Sequence, residues 1–398
     1  MRSTDLEEAS ANYSKFFAKC QKEELQDENW TRSGLKTSSR FTEYSGKKNP
    51  VISLEFNQLG SYLAYSRSDE SLNIWKLKAD RSETYTLVRD IPGLQKRQIC
   101  DMSWHPMTGF LLSTVGGTNC IIVYDVSTGA LAKRIDVEAN FRFYKCEYNP
   151  SGRWLAVFSE DGRFCLFDAD QNYELLFTSQ LYEQHSENTP DLRATSVIWS
   201  HSGDSIYAAF NSGEIRSFHV QDTGLREIMR VSGHTGPVNC LKLDPAGSIL
   251  LAGGQDTTCS IWELTSMCCT GVINDFSDSI RDMDLCHNGL ALALSSPTQC
   301  KIYALDTRES LYQLSFTSEI ESPKFRYFPG KMAFVTITEN ENLAKYNVPD
   351  PVHISNQRIP CEVEKRKRGE QKTGVLGVSR REEEPARRGR FSKRPPRR

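Results

Sequence analysis

Several things are missing from the sequence, and each absence removes a class of protein. No run of 18 apolar residues occurs, so no membrane-spanning helix and no membrane partner are expected. The opening MRSTDLEEAS is polar and acidic with no apolar core, which argues against a secretory signal. None of the 12 cysteines forms a Cys-x-x-Cys pair, the seven histidines are scattered, and the adjacent Cys268 and Cys269 cannot make a zinc site alone. No metal is expected. There is no G-x-S-x-G elbow, no G-x-x-x-x-G-K-[ST] phosphate loop and no H-E-x-x-H. No catalytic residue or cofactor is therefore assigned, and the chain reads as a binding scaffold, not an enzyme. Net charge is nearly absent too: 49 Lys+Arg against 51 Asp+Glu leave −2, which taken alone argues against nucleic acid.

What is present is enough apolar material for a large core. Hydrophobic residues make up 38% of the 398 and charged residues 25%, so wholesale disorder is excluded. Length alone suggests two or three domains, with the exception that all-β proteins often exceed it as one. Cys100, Cys120, Cys146, Cys165, Cys240, Cys259 and Cys300 lie in or beside short apolar runs, as buried reduced thiols of a cytosolic or nuclear protein do.

A repeat organises the chain. Seven segments share one plan: an apolar strand, a Pro/Gly turn, a nearly all-apolar strand, a polar turn, then a strand ending in an aromatic. They begin at Val51, Ile99, Phe143, Ala194, Val238, Ile280 and Ser322. Their turn glycines, Gly60, Gly109, Gly152, Gly203, Gly247, Gly289 and Gly330, are spaced by 49, 43, 51, 44, 42 and 41 residues. From each glycine to its closing aromatic (Trp75, Tyr124, Phe167, Phe218, Trp262, Tyr303, Tyr346) the offset is 14 to 16 residues. Seven offsets within one residue of 15 are not chance. His105-Pro106, Asn149-Pro150 and Asp244-Pro245 fix φ in the turn, and the following glycine supplies φ > 0. The next strand, such as WLAVF from Trp154, lacks polar alternation and reads as buried on both faces. Such a unit cannot stand alone; it must stack radially and close into a ring. The expected fold is an all-β, seven-bladed WD-repeat β-propeller over residues 37–348.

Fourth, outer strands are expected near Thr84, Ala130, Tyr173, Arg226 and Ser310. After the seventh repeat, Pro349 and Pro351 disfavour one. An orphan segment before the first repeat, RFTEYSG from Arg40 within 37–46, is expected to complete the last blade. The fifth repeat is the most regular. Its His234, Asp256 and Trp262 match three positions of the buried hydrogen-bond network of WD repeats, so His234 is read as structural. Two connections exceed the repeat minimum, 78–83 with 92–98 and 182–191, and one of them is expected to contact a partner.

The flanks differ from the ring. Residues 1–36 form a charged arm in which Leu6, Tyr13, Phe16, Phe17 and Cys20 could make a helical apolar stripe; a docking helix and a frayed arm both remain open. Residues 349–398 read as a disordered basic tail. From Cys361 onward it carries 14 basic and 6 acidic side chains, leaving 35 basic and 45 acidic in residues 1–360. The total of −2 is thus +8 beside −10. Lys365, Arg366, Lys367 and Arg368 form a candidate nuclear-import signal. Arg387, Arg388, Arg390, Lys393, Arg394, Arg397 and Arg398 form a candidate contact for RNA or DNA backbone, weak and non-specific. A solvated tail without a ligand is the third reading. One aromatic, Phe391, is too few for a stacking platform.

The stretch VNCLKLDPAGSILLAGGQDTTCSIWELTSMCCTGVINDFSDSIRDMDLCHNG, residues 238–289, resembles the WD-repeat subunit of the THO complex. WHPMTGFLLSTVGG from Trp104 is a second match, and the similarity runs across about 50–348. The paired Gly-His and Trp-Asp signatures are largely eroded, and the basic tail is not carried over. The resemblance implies a nuclear, non-enzymatic subunit of a THO/TREX-like assembly coupling transcription elongation to mRNP packaging and mRNA export. Large helical scaffold subunits would hold it, with a DEAD-box helicase and export adaptors acting indirectly alongside. Two alternatives stand beside it. One is another nuclear WD scaffold, such as a histone-tail or degron receptor, which an acidic channel-facing pocket would favour. The other is an RNA-binding protein acting mainly through the tail. An enzyme would need a polar cluster in the channel.

Overall fold

The computed structural model describes residues 36–40, 49–77, 85–91, 98–137, 141–181, 192–330, 333–337 and 343–347. They form seven four-stranded antiparallel sheets, and no described helix is long and apolar enough to cross a membrane. In six sheets the strands follow chain order, as in blade 1: Val51–Phe56, Tyr62–Arg67, Leu72–Leu77, Tyr85–Ile91. The first strands touch one another in sequence, and the first strand of blade 1 touches that of blade 7. They are therefore the innermost strands of a closed ring, a seven-bladed β-propeller.

Packing explains the closure. Seven hydrophobic cores lie between successive blades, one per interface, including the seam where Val51, Leu63 and Tyr65 of blade 1 meet Phe328, Val335 and Ile337 of blade 7. Second strands serve two cores at once. In Trp154–Ser159, Trp154, Ala156 and Phe158 face blade 4, while Leu155 and Val157 face blade 2. That is why this strand shows no polar alternation: each face meets another sheet. Burial of each large side chain there is worth about 1.5–3 kcal/mol.

The turns after the first strands interlock as well. Gly152 sits at φ +79°, and a Cβ there would lie 2.5 Å from Cε1 of His105 in the preceding blade. Gly247, at φ +68°, stands in the same relation to His201, at 2.7 Å. Both positions need glycine twice over, for the dihedral and for the neighbour's ring.

Two elements differ from sequence expectation. Blade 5 has an outer strand, Cys268–Ile273, which its interior glycine and lack of alternation concealed. Blade 7 takes its outer strand from the N-terminal side: Lys36–Arg40 pairs antiparallel with Leu343–Asn347, Lys36 opposite Asn347 and Arg40 opposite Ala344. This strand overlaps the expected 37–46 only at 37–40, and residues 41–48 lie outside the described residues. An outermost strand needs only backbone partners, so the polar KTSSR suffices.

Candidate functional site

The structure brings His234, Asp256 and Trp262 together through a fourth residue. His234 Nδ1 lies 3.0 Å from both oxygens of Asp256, and its Nε2 lies 2.7 Å from Ser260 Oγ. Trp262 Nε1 donates to the same Oγ at 2.7 Å. An indole can only donate, so Ser260 accepts there and its own hydrogen serves Nε2, leaving the Nδ1 hydrogen for Asp256. Burial acts to raise the Asp256 carboxyl, but hydrogen bonds from His234, Thr258 and Thr235 outweigh it and hold it below its usual value. Every group is satisfied, which suits a clamp between loop and strand. Gly254 completes it, since a Cβ there would fall 2.4 Å from both Asp256 Oδ1 and His234 Nδ1. Ser260 was not singled out from sequence, where a serine in an apolar strand carries no distinctive signal.

Blade 6 reaches the same end with other chemistry. Asp275 accepts from Tyr303 Oη and, at 3.2 Å, from Lys301 Nζ, which also donates to the Asp275 carbonyl at 2.7 Å. Burial and this bond raise the Tyr303 hydroxyl strongly. The eroded signature is thus a substitution of parts.

What the sequence did not show is the charged lining of the central channel. A cavity of about 510 Å³ runs between the first strands of all seven blades, lined by five carboxyl groups and five basic groups. Strand registers place nine of these ten, all but Arg281, at two levels. Glu55, Glu147, Lys242, Asp284 and Arg326 share one level with Ser103 and Ile198. Two residues earlier come Asp101, Lys145, Asp282 and Lys324, with uncharged side chains in the other blades. Charge at alternate positions of the first strands was the available signal. A single strand cannot show that seven such faces meet.

Most of these charges are tied. Arg326 spans the seam, with Nη2 2.7 Å from Glu55 of blade 1 and Nη1 2.7 Å from Asp282 of blade 6. Lys242 pairs with Asp284 at 2.9 Å and Lys145 with Asp101 at 3.4 Å. The acids also cap neighbouring sheet edges. Asp101 accepts from the Cys146 N–H, Asp282 from Phe325 and Asp284 from Tyr327, at 3.1, 2.9 and 2.7 Å. An innermost strand has no further strand to bond, so side chains of the preceding blade satisfy its free N–H groups. Burial tends to raise Asp282, but Arg326 and Lys324 outweigh it and hold the carboxyl low.

Glu147 differs. Its Oε2 is shielded from bulk solvent and has no hydrogen-bond partner among the described residues. Burial pushes this carboxyl up to about 8, with Lys242 opposing and Asp101 reinforcing. Lys324 is lowered, chiefly by burial. A polar cluster therefore does line the channel, but five carboxyls against five bases do not make it acidic. Among the described residues, no group of three or more His, Cys, Asp or Glu is placed to hold a metal ion.

The remaining candidates lie elsewhere. The import segment 365–368, the basic cluster 387–398, the arm 1–35 and loop segments 78–84, 92–97 and 182–191 lie outside the described residues.

Fold and repeat chemistry together define a WD-repeat β-propeller. The family "WD domain, G-beta repeat" matches residues 225–263, which run from the outer strand of blade 4 through the blade 5 network. The chain is 26% identical over 347 residues to Protein TEX1 of Saccharomyces cerevisiae, covering 85% of this chain and 81% of that protein. It is 20% identical to THO complex subunit 3 of Arabidopsis thaliana, covering 78% of this chain and 93% of that one. Among solved structures it superposes on the Myceliophteria thermophila Cps50 (Swd1) β-propeller domain with TM-score 0.64 and 17% identity, over 79% of this chain and 100% of that one. That likeness concerns the fold alone.

Proposed function

We propose that this protein is a non-enzymatic scaffold subunit of a nuclear THO/TREX-like complex that couples transcription elongation to mRNP packaging and export. The observation that carries the reading is similarity to Protein TEX1 and THO complex subunit 3 across most of the ring. The site chemistry is compatible with it: the blade 5 network is fully satisfied, and most channel charges hold blades together. Partners would be large helical subunits, engaged through ring-face loops, with the helicase and adaptors farther out. Affinity purification of the native protein with mass spectrometry tests this. Large helical mRNA-export subunits should be recovered, and their absence would overturn the reading.

The basic tail supplies import through Lys365–Arg368 and weak backbone attraction for RNA through residues 387–398. Filter binding of the full chain and of residues 1–360 over a salt series should show a salt-sensitive component lost on truncation. Equal binding would remove the tail as an RNA contact. A histone-tail or degron receptor draws no support from the channel, whose acids are matched in number by bases.

A further inference from the structure

We infer that the N-terminal arm, residues 1–35, folds back over an apolar patch on one face of its own ring, with Leu6, Tyr13, Phe16, Phe17 and Cys20 as the contact stripe. The patch comes from the turns after the first strands of blades 1 and 2. Leu59 is 61% exposed, Met107 56% and Phe110 39%, so three large apolar side chains meet water there. They are contiguous: Asn57 Nδ2 donates to the Gly109 carbonyl at 2.8 Å, and a Cβ on Gly109 would stand 4.0 Å from Leu59 Cδ1. Pro329 of blade 7 extends the patch, 3.4 Å from where a Cβ on Gly60 would lie. The same turns elsewhere are polar or small. Ser151 and Arg153 flank the glycine in blade 3, Ser202 and Asp204 in blade 4, Ala246 and Ser248 in blade 5. A requirement of the fold would fall on every blade alike, whereas apolar exposure concentrated at two adjoining turns marks a contact surface.

The occupant follows from where the chain enters the ring. Lys36 lies opposite Asn347, and Ala333 lies opposite the same Asn347. Ala333 closes the turn that carries Pro329, its carbonyl accepting from the Phe328 N–H at 2.8 Å. The arm therefore joins blade 7 at the end of the sheet where the patch lies. Three strand spacings, about 14 Å, cross blade 7 from Lys36 to its first strand, and the turn of that strand abuts Gly60 of blade 1. Cys20 stands 16 residues before Lys36, an extended reach of about 50 Å. At helical spacing the five apolar residues of the arm fall within an arc of about 100°, the width of a stripe that faces a surface. Tethering holds that stripe at a local concentration on the order of millimolar, well above that of a second copy in dilute solution. The ring's own arm thus fills the site first.

Photo-cross-linking in the full chain tests this. Leu59→p-benzoylphenylalanine places the probe in the patch, and Ala246→p-benzoylphenylalanine places it in the corresponding turn of blade 5; both positions are exposed, so neither probe disturbs a core. Irradiated in dilute solution, the first protein should give a product of monomer mass in which residue 59 is joined to the peptide carrying Phe16 and Phe17. The second should not. Adding Phe16→Ser and Phe17→Ser should lower that product at least about tenfold, because the burial of two phenylalanines is lost, while the circular dichroism stays that of the wild type. A product of dimer mass that grows with concentration would assign the patch to a second copy, and absence of any product with the arm would leave it to another protein. Either result overturns the inference, as would equal cross-linking from position 246 or a product indifferent to the double substitution. Affinity purification bears on the complex assignment alone, so the two readings can fail separately.

Discussion

Replacing Arg326 by methionine should open the ring at its seam. The Arg326 side chain is 12% exposed and holds those of Asp282, 9% exposed, and Glu55, 30% exposed. Methionine keeps much of the stem's volume but leaves the buried Asp282 carboxylate without its ion-pair partner. Breaking a buried pair from one side costs about 3–5 kcal/mol, most of it from the charge left behind. The half-open Glu55 adds little, about 0–1 kcal/mol. At roughly 2 °C per kcal/mol for a chain of this size, melting should fall by about 6–10 °C. The pH dependence gives the sharper test. The folded structure holds Asp282 below its ordinary 3.8, so its contribution is present above that value and lost as pH falls through the folded value. In the variant the unpaired acid prefers its proton, so the gap from wild type should be widest near pH 7 and narrow towards pH 4. Urea unfolding followed by tryptophan fluorescence reads both quantities. Glu55→Gln and Asp282→Asn added to Arg326→Met should restore most of the loss, because no charge is then stranded. A gap below about 1 kcal/mol, or one constant from pH 7 to pH 4, would refute the seam argument.

Three further outcomes follow from the same structure. Glu147 has a folded value of about 8 against an ordinary 4.5, so the wild type should lose about 1.4 kcal/mol per pH unit between these values and nothing more above them; Glu147→Gln should lack that decline in denaturant titrations, and parallel profiles would contradict it. His234→Ala strands the Asp256 and Ser260 partners and should cost about 1–3 kcal/mol of unfolding free energy, whereas a loss under about 0.5 would show that the network is not a clamp. Removing residues 1–40 should lower the melting temperature far more than removing 1–30, because only the longer deletion takes the outer strand of blade 7; equal shifts would mean that Lys36–Arg40 does not fasten the ring.

Much of the architecture was legible because its signals are local. A turn such as Asn149-Pro150-Ser151-Gly152 writes its φ requirements into four consecutive residues, and an all-apolar strand such as Trp154–Ser159 announces two buried faces. The blade 5 network was readable for a similar reason, since histidine, aspartate and tryptophan are distinctive at fixed spacing. Ser260 was not, because one small hydroxyl in a strand could face anything. The outer strands Cys268–Ile273 and Lys36–Arg40 escaped or shifted because an outermost strand is held by backbone bonds to one neighbour.

The sequence by itself determined the repeat, its turn and strand chemistry, the count of seven blades, and the division of charge between ring and tail. Only the tertiary structure decided what the ring encloses. Glu55 and Arg326 stand 271 residues apart, and each reads locally as one charge on an amphipathic strand. Closure brings those strands into one channel, where low dielectric makes pairing compulsory and shows which group lacks a partner. Periodicity is a property of neighbours along the chain. Electrostatic matching belongs to neighbours in space, and Glu147 became visible only there.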